Sequence, residues 1–230
     1  MANKVSHTEE NLEHIEHGLS KAEVFIEKYQ RTLFYAGAAV ILLAGAYLGY
    51  KYWYQVPLEE EAQAQLFRAQ QLFEIDSLQL ALNGDGSFLG LTDVADQYSS
   101  TLAGDAACFY AGVAYLHLGQ YEDALTYLKR SKGKDWLGKA LLLGNMGDAY
   151  SELGDLDKAA RYYKKAAGVS DNSMTAPRFF AKAALVLEKQ GNYAEAIRLY
   201  EKIQHNFANT TEANDAEKHI ARAKVLSAKE

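Results

Sequence analysis

The chain has 230 residues, 49% apolar, 12% aromatic and 23% charged, with only 2 prolines against 16 tyrosines; this globular, helix-favouring composition excludes a disordered chain. Its net charge of −6 excludes a general basic surface for nucleic acid. The single cysteine, Cys108, excludes an internal disulfide and a cysteine-based metal framework.

The first expected element is a helical arm over residues 1–31. Ser6-His7-Thr8-Glu9 has the form of a capping box at its start. Leu12, Ile15, Leu19, Ala22, Ile26, Tyr29 and Leu33 then recur at gaps of three and four, a heptad seam of mean period 3.5. The other faces carry Glu9, Glu10, Glu13, Glu16, Glu23 and Glu27. An interfacial helix has a Lys/Arg-rich polar face, so this acidic one points to a protein partner or to self-pairing as a homodimer. His7, His14 and His17 read as solvated helix residues and not as a metal site.

The second element, 32–54, is a transmembrane helix. Thr32 to Tyr50 holds no charged residue, and about 20 apolar residues at ~1.5 Å rise cross ~30 Å of hydrocarbon. Phe34 and Tyr35 anchor one interface, and Tyr50, Tyr52, Trp53 and Tyr54 the other. Arg31 and Lys51 bracket the span and snorkel outward. The alternatives are a buried core helix and a signal peptide cleaved near Ala44-Gly45-Ala46. Against cleavage, 31 residues with six acidic side chains precede the apolar run, which continues past Ala46. Gly45 and Gly49 have the spacing that lets two membrane helices approach closely, although glycine is also ordinarily tolerated there. Lys21, Lys28 and Arg31 outweigh the far flank, so the N-terminus is expected inside and the rest outside, in the periplasm of a Gram-negative cell.

Residues 58–230 are expected to form one helical-repeat domain. A helix over 58–82, broken at Asn83-Gly84-Asp85-Gly86, and a second over 88–98 make a divergent repeat spanning 58–100. Segments 105–131, 140–166 and 177–203 then align on one pattern. Gly119, Gly154 and Gly191 fall at matching positions, where the inter-helix turn needs φ > 0. Ala124, Ala159 and Ala196 keep that spacing where two helices cross, and Gly112, Gly147 and Ala184 let paired helices approach closely. Pro177 opens a helix. A charged helix over 212–228 caps the stack.

These segments resemble the tetratricopeptide repeat, a helix-turn-helix unit of about 34 residues. They depart from the family pattern where Cys108, Leu143 and Phe180 replace its tryptophan, and in lacking its closing proline. The resemblance implies an all-α solenoid of about four helix pairs plus a capping helix, whose first helices line a concave groove. Carried over by alignment, the groove positions are Phe109, Val113 and Leu116, then Gly144, Asp148 and Ser151, then Ala181, Leu185 and Glu188. Family members that grip a C-terminal carboxylate use Lys and Asn on this face. Asn145 and Lys182 echo them, while Val113 and Leu185 replace polar residues, which points to apolar or extended segments as ligands.

No GxSxG, Walker A, HExxH or CxxC motif is present, and no nucleophile–base pairing is visible, so neither catalysis nor a cofactor is expected. Cys108 reads as inert core, and the Asn83–Ser87 segment as a linker and not a calcium loop. In layout the chain is similar to the YfgM-like ancillary subunits of the bacterial SecYEG translocon. That resemblance implies contact with the channel and handover of extended chains to periplasmic chaperones. The alternative is a scaffold for another cell-envelope complex, self-associating through the arm.

Overall fold

The structure is a computed structural model that describes residues 28–228. The capping box, His7, His14, His17 and most of the heptad arm lie outside the described residues. The chain divides into two compact units at Pro57/Leu58.

In the first unit, α1 (28–50) leads into a π-helical turn, Lys51–Gln55. The turn has a local cause. Pro57 has no N–H, and its ring crowds the carbonyl four residues back, which an α-helix cannot absorb. The ladder widens instead, and the Val56 N–H donates to the Lys51 carbonyl. The apolar side chains of α1 are exposed on every side, Ile41, Leu42 and Leu43 among them. It is long and apolar enough to cross a membrane. Trp53 is 89% exposed, and the rings of Tyr50 and Tyr54 stack at 5.4 Å. Beside Gly45 and Gly49 there is open space.

The second unit takes up α2 (Val56–Glu74) from Leu58 onward, and α2 buries Ala62, Leu66 and Ala69 one turn apart. The helix expected over 58–82 is interrupted. Ser77 N–H reaches the Leu72 carbonyl (2.8 Å) and Asp76 N–H the Phe73 carbonyl (3.1 Å), with Asp76 at φ 60. This is a Schellman stop, in which an aspartate takes the left-handed position usually given to glycine. The missing glycine is why the stop is silent in the sequence. α3 (Leu78–Asn83) follows, and the second helix, α4, covers only Leu91–Gln97. Asp85 accepts from the Ser87 amide and hydroxyl (2.8 and 2.6 Å), closing a plain turn.

Three helix pairs then stack: α5 (Leu102–His117) with α6 (Tyr121–Arg130), α7 (Trp136–Glu152) with α8 (Leu156–Ala167), and α9 (Ala176–Lys189) with α10 (Tyr193–Asn206). α11 (Thr211–Ser227) closes the stack. α5 and α7 start ahead of the expected Asp105 and Ala140, because Thr101 and Asp135 cap the amides of Gly104 and Gly138. The turns use Gly119, Gly154 and Gly191 at φ 75, 78 and 76, values costly to any residue with a Cβ. Ala124, Ala159 and Ala196 are fully buried at the crossings. Cys108 is buried, and burial pushes its thiol up, as in inert core.

The two ends of the stack share one device. Thr101 donates to the Tyr98 carbonyl (2.7 Å) and caps α5; Thr210 donates to the Phe207 carbonyl (2.8 Å) and caps α11. Glu59 of α2 adds a second cap, accepting from the Leu102 and Ala103 amides at 2.6 and 2.9 Å, and so ties α2 to the first full repeat. Where full repeats pack a second helix, α11 presents Glu217, Ala221 and Lys224 to solvent, a polar end for the stack.

Candidate protein-binding surface

The first helices of the repeats place equivalent residues in rows. One row runs Val113, Asp148, Leu185 and Arg222; another runs Leu116, Ser151, Glu188 and Val225. The structure brings most of the expected groove residues into two neighbouring open depressions. One, of ≈ 310 Å³, is lined by Val113, Leu116, Asn145 and Asp148 with His117, Tyr121 and Glu152. The other, of ≈ 500 Å³, is lined by Ser151, Lys182, Leu185 and Glu188 with Tyr163, Arg222 and Leu226. Phe109 is half-buried and packs on the core edge-on to Tyr110 at 5.8 Å. Gly144 and Ala181, aligned with it, do not line the groove. A Cβ on buried Gly144 would come within 2.1 Å of the Phe179 ring, and Ala181 packs on the core.

Chemistry differs along the groove. In the second and third repeats a second-helix tyrosine passes under a small first-helix residue, and its hydroxyl meets a groove carboxylate. Tyr163 donates to Asp148 at 2.5 Å, and Tyr200 to Glu188 at 2.8 Å. Each carboxylate also holds a cation from the next helix along. Lys182 Nζ lies 2.6 and 2.9 Å from the Asp148 oxygens, and Arg222 donates twice to Glu188 at 3.0 Å. Lys182, the echo of a carboxylate clamp, is therefore already occupied by a carboxylate of its own chain. Glu188, 7% exposed, is fully engaged by the cap helix. In the first repeat Leu128 stands where those tyrosines stand, and Val113 and Leu116 where those carboxylates stand, so among the described residues its helices carry no such tie; Asp148, beside them, belongs to the tie of the second repeat.

Sequence reading missed Arg222, Tyr163 and Tyr200. The spacing that links Leu185 to Asp148 also reaches Arg222, but only if α11 is counted as a further first helix and not merely a cap. The tyrosines look like core residues, and their rings are; the functional end is the hydroxyl.

These phenols give the domain an alkaline weakness. Burial, and then the hydrogen bond given to Asp148 or Glu188, hold both above the ordinary 10.0. A folded-state value above the unfolded one stabilises fully below pH 10 and fades as pH rises further, by about 1.4 kcal/mol per pH unit for each phenol. Urea midpoints above pH 10 should therefore fall faster for the parent chain than for Tyr163→Phe/Tyr200→Phe.

Among the described residues, no group of three or more His, Cys, Asp or Glu side chains is placed to hold a metal.

A stack of helix pairs whose first helices line open depressions defines a scaffold of the α-solenoid class. Residues 105–170 match one tetratricopeptide repeat family profile, and 145–211 match a second. The stack is thus a tetratricopeptide repeat solenoid, and such repeats make the chain a protein–protein interaction adaptor or scaffold. Among solved structures it is similar to nearly identical TPR-like repeats ascribed to a putative kinesin light chain of Podosopora anserina. One of these, a variant with a single substitution, matches with 16% identity and a TM-score of 0.57, over 74% of this chain and 88% of that one. Another matches with 14% identity and a TM-score of 0.55, over 74% and 89%. At such identities the likeness is of fold. A comparison with curated proteins gives no match.

Proposed function

We propose that the chain is a non-enzymatic, membrane-tethered adaptor: α1 spans the bilayer with its N-terminus cytoplasmic, and the repeat domain binds polypeptide on the periplasmic side. The observation that carries the groove reading is the contrast along it. In the second and third repeats Asp148 and Glu188 are already held by Lys182 and Arg222. Val113 and Leu116 instead offer apolar surface beside Glu152, whose carboxylate accepts from the Tyr121 hydroxyl at 3.5 Å and pairs with no cation among the described residues. That end suits an extended segment that sets apolar side chains on half-buried Val113 and Leu116 and polar groups against Asn145 and Glu152. A YfgM-like place beside SecYEG fits such a groove, since tethering near a channel exit raises the effective concentration of sites for emerging chains. Scaffolding of another envelope complex, with self-association through the arm or through Gly45 and Gly49, is the second reading.

A photo-crosslinking residue at Val113 or Leu116, in the full chain in its native membrane, tests this. Channel subunits or extended translocating chains should be captured there, and not from Arg161 on an exposed second-helix face. Recovery of one folded partner without the channel would favour the scaffold. A topology reporter fused after Glu230 should be active on the periplasmic side alone.

A further inference from the structure

We propose that the edge of the repeat domain where α5 and α7 begin docks on an anionic lipid surface. Between residues 129 and 139 the chain carries Lys129, Arg130, Lys132, Lys134 and Lys139 against one acid, Asp135. In a chain of net charge −6 this is a local reversal of sign; the edge stays net positive when Glu59 and Asp105, whose carboxylates take the Leu102, Ala103 and Lys132 amides there, are counted with Asp135, so the complement it fits is an anion. Asp135 is committed to the Gly138 amide at 2.6 Å. Arg130 is compensated by Asp96 at 2.7 Å and is not counted. Lys132, Lys134 and Lys139 remain exposed without an acidic partner among the described residues.

The same edge is greasy. Trp136, in the first turn of α7, is 46% exposed, and Leu102, in the first turn of α5, is 48% exposed. The two helix starts are joined, because the Lys132 amide donates to Asp105 in the first turn of α5 at 2.6 Å. Met174, just before α9, is exposed as well. An indole among lysines is the combination that favours the headgroup layer: the ring enters it, the aliphatic stems lie along it, and the ammonium groups meet phosphate. Nucleic acid would use the cations but leaves no place for Leu102 and Met174, and two or three protruding side chains are too shallow a feature to seat a folded protein.

The docking does not depend on α1 crossing the bilayer, and its test separates the two. The full chain with Trp53→Phe leaves Trp136 as the sole tryptophan. It is reconstituted with vesicles of phosphatidylcholine, or of phosphatidylcholine with phosphatidylglycerol, each with brominated acyl chains. In the anionic vesicles Trp136 emission should be quenched at least twofold and shielded from aqueous acrylamide, with little change in phosphatidylcholine alone. Lys132→Gln/Lys134→Gln/Lys139→Gln should lower the docking equilibrium about fivefold per lysine, with an unchanged melting curve. Trp136 equally open to acrylamide and unquenched in both vesicle types would overturn the proposal, even if the chain floats with them. Failure of the tether reads out differently, as a chain that does not float with phosphatidylcholine vesicles.

Discussion

Gly144→Leu is expected to cost the repeat domain about 3 kcal/mol, at the upper end for overpacking a buried site. A Cβ at this position already meets three atoms of the Phe179 ring, at 2.1, 2.4 and 3.1 Å. That ring belongs to the first helix of the next repeat and is itself buried, so it has no free space to swing into. The larger side chain must push α7 and α9 apart, and the groove residues on both helices would separate with them. Urea unfolding of the full chain in detergent measures the loss. Phe179→Ala alone should also destabilise, by roughly 3–5 kcal/mol through the cavity it leaves. Combined, the two changes should cost clearly less than their sum, by at least about 1 kcal/mol, because the leucine fills space the ring vacates. Strict additivity would mean the glycine is not held small by Phe179.

Glu188→Ala is expected to cost about 3 kcal/mol and to loosen the cap helix. The change strands the buried Tyr200 hydroxyl, whose desolvation is then uncompensated, at about 1–3 kcal/mol. It also removes the partner of Arg222, a smaller loss because the guanidinium side chain is 47% exposed. Glu188→Gln keeps an acceptor for the tyrosine and should lose less. Adding Tyr200→Phe to Glu188→Ala should recover part of the stability, since no orphan hydroxyl remains. Hydrogen exchange locates the effect: α11 amides should lose protection first, while those of α5 and α6 hold. Uniform loss across the stack would contradict a local fastening of α11 by Glu188.

Much of this architecture is written in local sequence. The turn glycines are legible because only glycine takes φ near +75 without strain, and that requirement belongs to the residue itself. The alanines at the crossings, the small residues at 112, 147 and 184, and the proline opening α9 are legible for the same reason. The break in the first long helix is not, because Asp76 occupies a glycine's place, and propensity alone gives no cue there. The starts of α5 and α7 escape the repeat pattern because that pattern begins inside them, whereas their true limits are set by Thr101 and Asp135.

By itself the sequence determined a charge-free apolar helix with aromatic ends and a periodic series of helix pairs, since hydropathy runs, turn chemistry and spacing are carried by each segment alone. Only the tertiary structure decided which groove residues are available. Asp148 and Lys182, or Glu188 and Arg222, stand 34 positions apart in the chain and meet because stacking brings equivalent helices side by side. Whether a charge on that face is free or already neutralised depends on the rise between repeats and the rotamers it permits. No local pattern encodes that, so the ion-paired half of the groove, its tyrosine supports and the part played by Arg222 became visible only in the folded stack.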